Sequence, residues 1–325
     1  MISIVNDPMV SVVIASYNRA DFIYDSILSV QNQTFTDKEI IVVDDGSTDD
    51  TRSILQEFGE QISVIYQSNQ GRSAARNNGV MNAKGRLIAF LDSDDVWMHD
   101  KLDKQVDMLF DKSDVGLIHT FSDVIDSSGI FIPHESKLRQ KLHTQSVKKG
   151  YSYESLSENC VMFLSTVMVR RDCWDDVGPM DIAIPAFEDW DWYMRLSRKY
   201  NIGVIPEILV HFRLHESNTS QKEFFQGRIL TCEKHLKWLD EETAGHENVL
   251  KVRRNFYLQL AGAYYVHNDS LQVGLCMRKA IEIDRSVVFN LYNLRYILTM
   301  LFSDRVSNTL RQLKRLVIKL MIRNR

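Results

Sequence analysis

The chain has 325 residues, with 44% hydrophobic and 25% charged side chains, a composition that suits one large α/β domain with an appendage and excludes collagen-like, disordered and disulfide-stapled classes. Its longest apolar runs, such as 10–15 and 296–302, fall short of the roughly 18 to 20 residues of a spanning helix, and residues 1–7 lack the basic and apolar regions of a secretory leader, so a cytoplasmic location is expected. The formal net charge of −4 is uneven: residues 285–325 carry nine Lys or Arg against the single acid Asp304, which is +8 and leaves −12 for the remainder. That asymmetry points to a basic terminal element meeting an anionic surface and argues against a nucleic-acid partner for the acidic body.

In chain order, strand-like and helix-like segments alternate first, the pattern of a mostly parallel sheet flanked by helices. Residues 10–15 read as a buried strand, 21–31 as a helix with Phe22, Ile23, Ile27, Leu28 and Val30 at apolar positions, and 39–43 as a second strand. Asp44-Asp45-Gly46-Ser47-Thr48-Asp49 breaks that strand, with Asp49 or Asp50 placed to cap a helix running to Phe58. A third strand at 62–66, a helix at 72–83 and a fourth strand at 87–91 follow; all four strands are short, β-branched and expected to be buried on both faces. Next come a helix at 101–110, a strand at 115–121 and a hairpin at 124–132 turning on Ser127-Ser128-Gly129. Residues 136–150 show no periodicity and two Lys-rich patches, and read as a mobile loop. From Ser220 onward the chain is expected to be wholly helical, since residues 221–325 contain no proline. Cys160, Cys173, Cys232 and Cys276 are scattered, without a CxxC pair, and are expected to be reduced thiols.

Three of the early strands end in small or acidic clusters: Ser16-Tyr17-Asn18-Arg19, Asp44-Asp45-Gly46-Ser47 and Asp92-Ser93-Asp94-Asp95. In an open α/β sheet the carboxyl ends of the strands share one edge, so the clusters should converge on one crevice suited to a nucleotide. Any one acid alone would serve as a helix or turn cap. Five crowded carboxylates call for a divalent cation and ribose hydroxyls to offset their repulsion.

These segments, together with Asn69-Gln70-Gly71-Arg72-Ser73-Ala74-Ala75-Arg76-Asn77, resemble the family 2 inverting glycosyltransferases of the GT-A fold, over roughly residues 8–220. The resemblance implies a nucleotide-diphosphate-sugar donor, UDP-sugar by family precedent, and Mn2+ or Mg2+ as cofactor. It places Ser16 and Tyr17 beside the base and ribose, Asp45 on the base, and Arg76 with Gly71 near the nucleotide, where a guanidinium can also meet diphosphate oxygens. Within the family's DxD element, Asp92-Ser93-Asp94-Asp95, Asp94 would contact ribose or sugar and Asp94 or Asp95 would hold the metal; the sequence leaves open which acid does so. In His211-Phe212-Arg213-Leu214-His215, similar to the family's R-x-H segment, His215 would be a third ligand, Arg213 would face phosphate, and His211 would be structural.

The acceptor side lies further on. Phe187-Glu188-Asp189-Trp190-Asp191-Trp192 matches the family's ED motif opening a helix, after a segment from Ser165 to Asp181 similar to the one preceding the family's catalytic acid. By that match Asp189 is the general base for an acceptor hydroxyl, a role contributing about 10²- to 10⁴-fold in rate. The rival account is that Glu188 and Asp189 merely favour a helix N-terminus. Asp191 is read as structural. Trp190 and Trp192 project from different helix faces, and Glu188 with Trp190 are the acceptor-side candidates.

The tail contains a stretch at 258–284 similar to one tetratricopeptide-type hairpin, then a basic amphipathic helix with Val306, Leu310, Leu313, Val317 and Leu320 on one stripe and Arg311, Arg315 and Lys319 largely opposite. Two domains are expected: 1–220, a GT-A catalytic domain, and 221–325, a helical region whose last helix contacts an anionic membrane peripherally, on the inner face of the plasma membrane, or is buried in a homo-oligomer. The expected function is sugar transfer with inversion to a hydroxyl of a glycan or lipid-linked saccharide. The alternatives are a sugar nucleotidyltransferase, which would want a glycine-rich loop after the first strand where Ser16-Tyr17-Asn18-Arg19 stands, and a non-catalytic scaffold, against which the intact acids count.

Overall fold

The computed structural model describes residues 7–216, 219–241 and 247–301. The expected alternation is present: β1 (Val10–Ser16), α1 (Ile23–Gln31), β2 (Lys38–Asp44), α2 (Thr51–Glu57), β3 (Ser63–Tyr66), α3 (Arg72–Asn82) and β4 (Leu87–Asp92). The chain continues through β5 (Val96–Trp97), α4 (Lys101–Asp111), β6 (Val115–Asp126), α5 (Pro133–Lys149), α6 (Tyr153–Glu158), β7 (Met168–Arg170), α7 (Arg171–Val177), α8 (Glu188–Ser197) and β8 (Asn201–Leu214).

The strands form one sheet in the order β3-β2-β1-β4-β7-β6-β8-β5. β1 pairs in parallel with both β2 and β4, so the order reverses at β1 and opens a crevice at its carboxyl end. Register brings the chemistry level: Ser16 lies opposite Asp44, and Ala15 opposite Asp92. A core of Val12, Ile14, Ile27, Val42, Ala89 and Leu91 fixes these strands beneath their loops. β4 and β6 both pair antiparallel with β7, while β6 and β8 run parallel. The fold is therefore mixed α/β with a mostly parallel central sheet of GT-A type and a helical C-terminal region, as expected.

Several local expectations are corrected. Residues 136–150 are not a loop but most of α5, with Pro133 in the first turn, where its missing N–H costs nothing, and Gly150 at φ 75° ending it. Only Ser136 and His143 are buried along it, so no apolar periodicity marks the helix. β3 is not buried on both faces, because it forms an edge of the sheet. The strand begun at Val115 continues to Asp126, and the return of the hairpin is a single bridge between Ile125 and Phe131. β8 escaped the sequence reading because Pro206 and Gly203 interrupt it. The register jumps from the Thr120–Ile205 pair to Phe121–Ile208, leaving Pro206 and Glu207 in a bulge where a missing N–H is tolerated.

Two compact units are distinguished, Met1–Gly227 and Arg228–Arg325. The described part after Ser220 comprises α9 (Gln221–Glu241), α10 (Glu247–Val266), α11 (Ser270–Ile283) and α12 (Leu294–Leu301), with short 3-10 turns between the last two. α10 and α11 form a hairpin across a turn with Asn268 at φ 64° and the Asp269 carboxylate accepting from the Gln272 N–H at 3.1 Å. The basic stripe from Val306 to Leu320 lies outside the described residues. None of the described helices is long and apolar enough to cross a membrane.

Candidate active site

The crevice begins with two stitched loops. Asn18, at φ 51°, donates its backbone N–H to Ser47 Oγ (2.9 Å) and accepts the Thr48 N–H on its side chain (2.8 Å), while the Arg19 N–H reaches Thr51 Oγ1 (2.9 Å). Asp45 is 3% exposed and accepts from Gln67 Nε2 (2.7 Å), the Gln70 N–H (2.9 Å) and the Gly71 N–H (2.9 Å). It thereby holds the loop that opens α3. Two glycines are required here: Gly46 at φ 82°, where a Cβ would stand 2.9 Å from Asn69 N, and Gly71 at φ 87°, which starts α3. Among the described residues Ser16 Oγ and Asp44 Oδ2 are buried without a hydrogen-bond partner, Asp44 Oδ2 lying 3.5 Å from Arg52 Nη2, and Tyr17 is exposed at the rim.

Beyond β4 the acids divide by environment. Asp92 accepts from Arg76 at 2.6 Å. Asp94 Oδ2 stands 3.0 Å from His215 Nε2 and 3.3 Å from Arg19 Nε. Burial opposes ionisation of Asp94, but the His215 contact and the Arg19 charge outweigh it and hold its pKa below the usual carboxylate value. Asp95 is 1% exposed; its Oδ1 accepts the Arg213 N–H (2.9 Å) and its Oδ2 accepts Ser165 Oγ–H (2.5 Å). Burial, and then the charges of Asp94 and Asp92, push Asp95 well above the carboxylate range. The Arg213 guanidinium turns to the Asp94 carbonyl (2.8 Å), the Ser127 carbonyl (3.2 Å) and Asp25 (3.1 Å).

Facing these groups is the start of α8. Phe187 precedes it in the left-handed region, φ 65°, a strained position for a side chain of this size. Glu188 is buried and pairs with Arg76, which bridges Glu188 and Asp92. Burial works against the Arg76 charge, yet Asp92, Glu188 and Asp189 together raise its pKa above the ordinary arginine value. Asp189 is partly open to solvent. Its Oδ1 accepts the Trp190 N–H at 2.7 Å, and Oδ2 has no hydrogen-bond partner among the described residues. Desolvation and the Glu188 charge, against the pull of Arg76, raise the Asp189 pKa to about 7.

The structure thus brings Arg76, Asp92, Glu188 and Asp189 into one electrostatic group, and Asp94 and His215 into a second joined to Arg19. It gives some predicted residues other surroundings. Trp190 is buried, with its indole N–H on the Leu156 carbonyl (2.8 Å), so it anchors α6 rather than lining an open face. Trp192 is core, its N–H on Gly178 O (2.9 Å). Asp95 has each of its oxygens in one hydrogen bond, to the Arg213 N–H and to Ser165 Oγ. Asp94 and His215 bring a carboxylate oxygen and an imidazole nitrogen within 3.0 Å of each other, with Arg19 beside the same oxygen, and are donor types compatible with Mn2+. Among the described residues no group of three or more His, Cys, Asp or Glu is arranged around a metal position.

Sequence reasoning missed Ser165, whose Oγ donates to Asp95 and accepts the Asp92 N–H at 3.0 Å, and Arg19, which meets Asp94. Ser165 lies 70 residues from Asp95 and only the fold joins them. It also missed a buried aromatic cluster of β6, α5 and the turn after α5, in which His119 packs on Tyr151 (4.5 Å between ring centroids) and Phe121 on His143 (4.7 Å).

A mostly parallel sheet with its switch point at β1, an acid-rich edge at that point and a carboxylate-bearing helix opposite make up a fold of GT-A type. The Glycosyl transferase family 2 signature matches residues 11–168. The chain is 31% identical over 221 residues to the putative teichuronic acid biosynthesis glycosyltransferase TuaG of Bacillus subtilis, covering 67% of this chain and 83% of that protein. It is 30% identical over 223 residues to the UDP-Glc:alpha-D-GlcNAc-diphosphoundecaprenol beta-1,3-glucosyltransferase WfgD of Escherichia coli, covering 67% and 82%. The chain belongs to glycosyltransferase family 2. The fold is shared with S. aureus TarS 1-349 in complex with UDP-GlcNAc (TM-score 0.63, 17% identity, 93% of this chain and 91% of that one). It is shared too with the mannosyltransferase PcManGT from Pyrobaculum calidifontis in complex with GDP-Man and Mn2+ (TM-score 0.57, 15% identity, 94% and 84%).

Proposed function

We propose that this glycosyltransferase moves a sugar from a UDP-sugar to a hydroxyl of a lipid-linked saccharide by a single displacement with inversion, with Asp189 as the base. The observation that carries this reading is Asp189 itself: a half-open carboxylate with one oxygen fixed by its own helix N-terminus and the other unengaged, with a pKa of about 7. A base poised near neutrality both accepts a proton and remains substantially ionised.

In the reaction, the acceptor oxygen attacks the anomeric carbon while the bond from that carbon to the diphosphate oxygen breaks. The departing nucleoside diphosphate keeps the electron pair, and the acceptor proton passes to Asp189 Oδ2. Ser16, Tyr17 and the loop fastened by Asp45 and Gly71 receive the nucleoside. Arg76, buried between Asp92 and Glu188, fixes the separation of the donor-side and acceptor-side acids. Arg19 supplies positive charge beside Asp94 for the diphosphate. Asp94 and His215 would hold a divalent cation, and Asp95, tied to Ser165 and the Arg213 backbone, sets the Asp94 main chain. When bound, the cation offsets charge on the leaving diphosphate. Support for the donor and acceptor classes comes from WfgD, named as transferring from UDP-Glc to a diphosphoundecaprenol-linked sugar, and from TarS with UDP-GlcNAc; PcManGT with Mn2+ supports the cation.

A panel of nucleotide sugars with a lipid-diphosphate-linked saccharide, with Mn2+ or chelator, tests this reading. Nucleoside diphosphate release that needs the cation is expected. Pyrophosphate release would replace the proposal with a nucleotidyltransferase, and full turnover by Asp189→Asn would remove the base assignment.

A further inference from the structure

The tip of the hairpin after β6 and the outer face of α5 take no part in the proposed catalysis. Exposed apolar residues are ordinary when scattered. Here Ile130 and Phe131 are 65% and 47% exposed, and Leu138 and Leu142, one helical turn apart, are 49% and 37% exposed. The hairpin tip is held rigidly in this pose. Asp126 Oδ1 accepts both the Ser128 and Ile130 N–H groups at 2.9 Å, the Asp126 N–H donates to Ile130 O at 2.8 Å, and Gly129 sits at φ 81°. An unpaired apolar tip built with this many hydrogen bonds is not a frayed loop.

Charge identifies what the surface fits. α5 carries five basic residues, Lys137, Arg139, Lys141, Lys148 and Lys149, against one acid, Glu135. Arg139 turns inward over the Phe163 ring (3.8 Å), and Lys149 pairs with Glu158. Lys137, Lys141 and Lys148 are exposed and have no ion-pair partner among the described residues. At helical spacing they run along one flank of the Leu138–Leu142 stripe, the arrangement of a helix lying in the headgroup plane of an anionic bilayer. Location adds a second reason. The Arg213 guanidinium that holds the Asp94 carbonyl also holds the Ser127 carbonyl in the hairpin turn, so the tip is tied directly to the donor-side acids.

We infer that Ile130, Phe131 and the lysine-flanked outer face of α5 form a docking surface for anionic phospholipid, which sets the catalytic crevice beside a membrane-held acceptor. The acceptor half of this inference rests on the proposed lipid-linked saccharide; the docking half does not. The test uses the full chain and sedimentation with vesicles of phosphatidylglycerol and phosphatidylcholine, against phosphatidylcholine alone. Two variants are compared, Ile130→Ser with Phe131→Ser, and Lys137→Glu with Lys141→Glu and Lys148→Glu, each checked for an unchanged thermal melt. Binding to the phosphatidylglycerol vesicles is expected to fall about tenfold or more in both, and to weaken with added salt. Transfer to a short-chain soluble acceptor should stay at the wild-type rate while transfer to a vesicle-embedded acceptor falls.

Unchanged vesicle binding in both variants overturns the docking surface even if a lipid-linked acceptor is confirmed. So does a variant that converts a dimer to a monomer without altering vesicle binding, because the face would then be a self-contact. Conversely, vesicle binding that depends on these residues sustains the surface even if the acceptor proves to be a soluble glycan.

Discussion

The two halves of the catalytic sheet place their chemistry by different means. In the β1–β4 half, functional residues follow directly on short buried strands, and neighbouring loops lock one another through Asn18, Asp45 and Thr51. In the half from β5 to β8, the decisive groups come from a strained helix start at Phe187 and from partners far apart in the chain, Ser165 with Asp95 and Arg76 with Glu188. The first arrangement fixes a loop by hydrogen bonds to its backbone. The second sets Asp189 in a desolvated place beside the like charge of Glu188, which raises its pKa against the pull of Arg76.

The largest expected effect separates those roles. Asp189→Asn should lower kcat by about 10²- to 10⁴-fold with donor affinity kept, the loss of a general base. Asp45→Ala should instead weaken donor binding by about tenfold, since it frees two backbone N–H groups of the loop before α3. Titration calorimetry with the nucleotide alongside single-turnover kinetics distinguishes the two, and equal effects on both parameters in both variants would erase the division. In the proposed role Asp189 acts ionised, and burial with the Glu188 charge raises its pKa to about 7, so single-turnover rates should climb with pH up to about neutrality and level off above it.

Arg76 is the hinge of the comparison, since it contacts an acid from each half. Arg76→Met leaves Glu188 buried and Asp92 unpaired, and should cost about 3 to 5 kcal/mol of stability by denaturant unfolding. Adding Glu188→Gln should recover a substantial part of that loss. A double variant as unstable as the single would show that the guanidinium's packing, not its charge, is what matters.

What the sequence disclosed follows the same division. β1, β2 and β4 were legible because apolar runs end in small or acidic clusters, and a parallel sheet then forces those ends together. β8 was not, because Pro206 and Gly203 break its run and its pairing with β6 is recovered only through a bulge. α5 was not, because its two buried residues, Ser136 and His143, are polar and leave no apolar core-facing stripe to read. Among the site residues, the ED pair was visible as a motif, but not that Glu188 faces inward to Arg76 while Asp189 stays half-open. Local pattern fixes which residues neighbour each other in the chain; the buttress given by Ser165 depends on a contact that no local pattern encodes.

The buried imidazoles sharpen the contrast through pH. Burial, followed by the neighbouring His143, lowers the His119 pKa to about 3; burial, followed by Arg139, lowers His143 to about 4. Both are therefore depressed below the unfolded value, so their contribution is present above about pH 6.5 and lost as pH falls toward 4 and 3. At pH 5 each should cost about 2 kcal/mol relative to neutral pH. His143→Phe, stacked on Phe121 in the same space, should flatten the acid side of the stability curve. An unaltered slope would mean these rings take up protons as freely in the fold as in the unfolded chain.

The smallest effect concerns Lys101, which is fully buried at the start of α4. Its Nζ lies 3.8 Å from the centre of the Trp97 ring and donates to Gln105 Oε1 at 2.6 Å, and among the described residues it has no carboxylate partner. Burial alone lowers its pKa well below the usual lysine value. The unfolded chain therefore binds the proton more tightly, so stability should rise with pH toward about 10.4, the unperturbed lysine value. Lys101→Met keeps most of the volume and removes the uncompensated ammonium, and Gln105 Nε2 keeps its bond to Thr166 O at 2.9 Å. The variant should unfold within about 1 kcal/mol of the parent at neutral pH, on the stabilising side, and lose the alkaline gain. Thermal melts of both proteins from pH 7 to 10 measure the difference. Trp97 donates its indole N–H to Ser165 O at 2.7 Å, and Ser165 braces Asp95. A loss of more than about 2 kcal/mol, beyond what a buried volume-conserving swap normally costs, would therefore show that the ammonium itself holds Trp97, and through it the edge of the acid cluster.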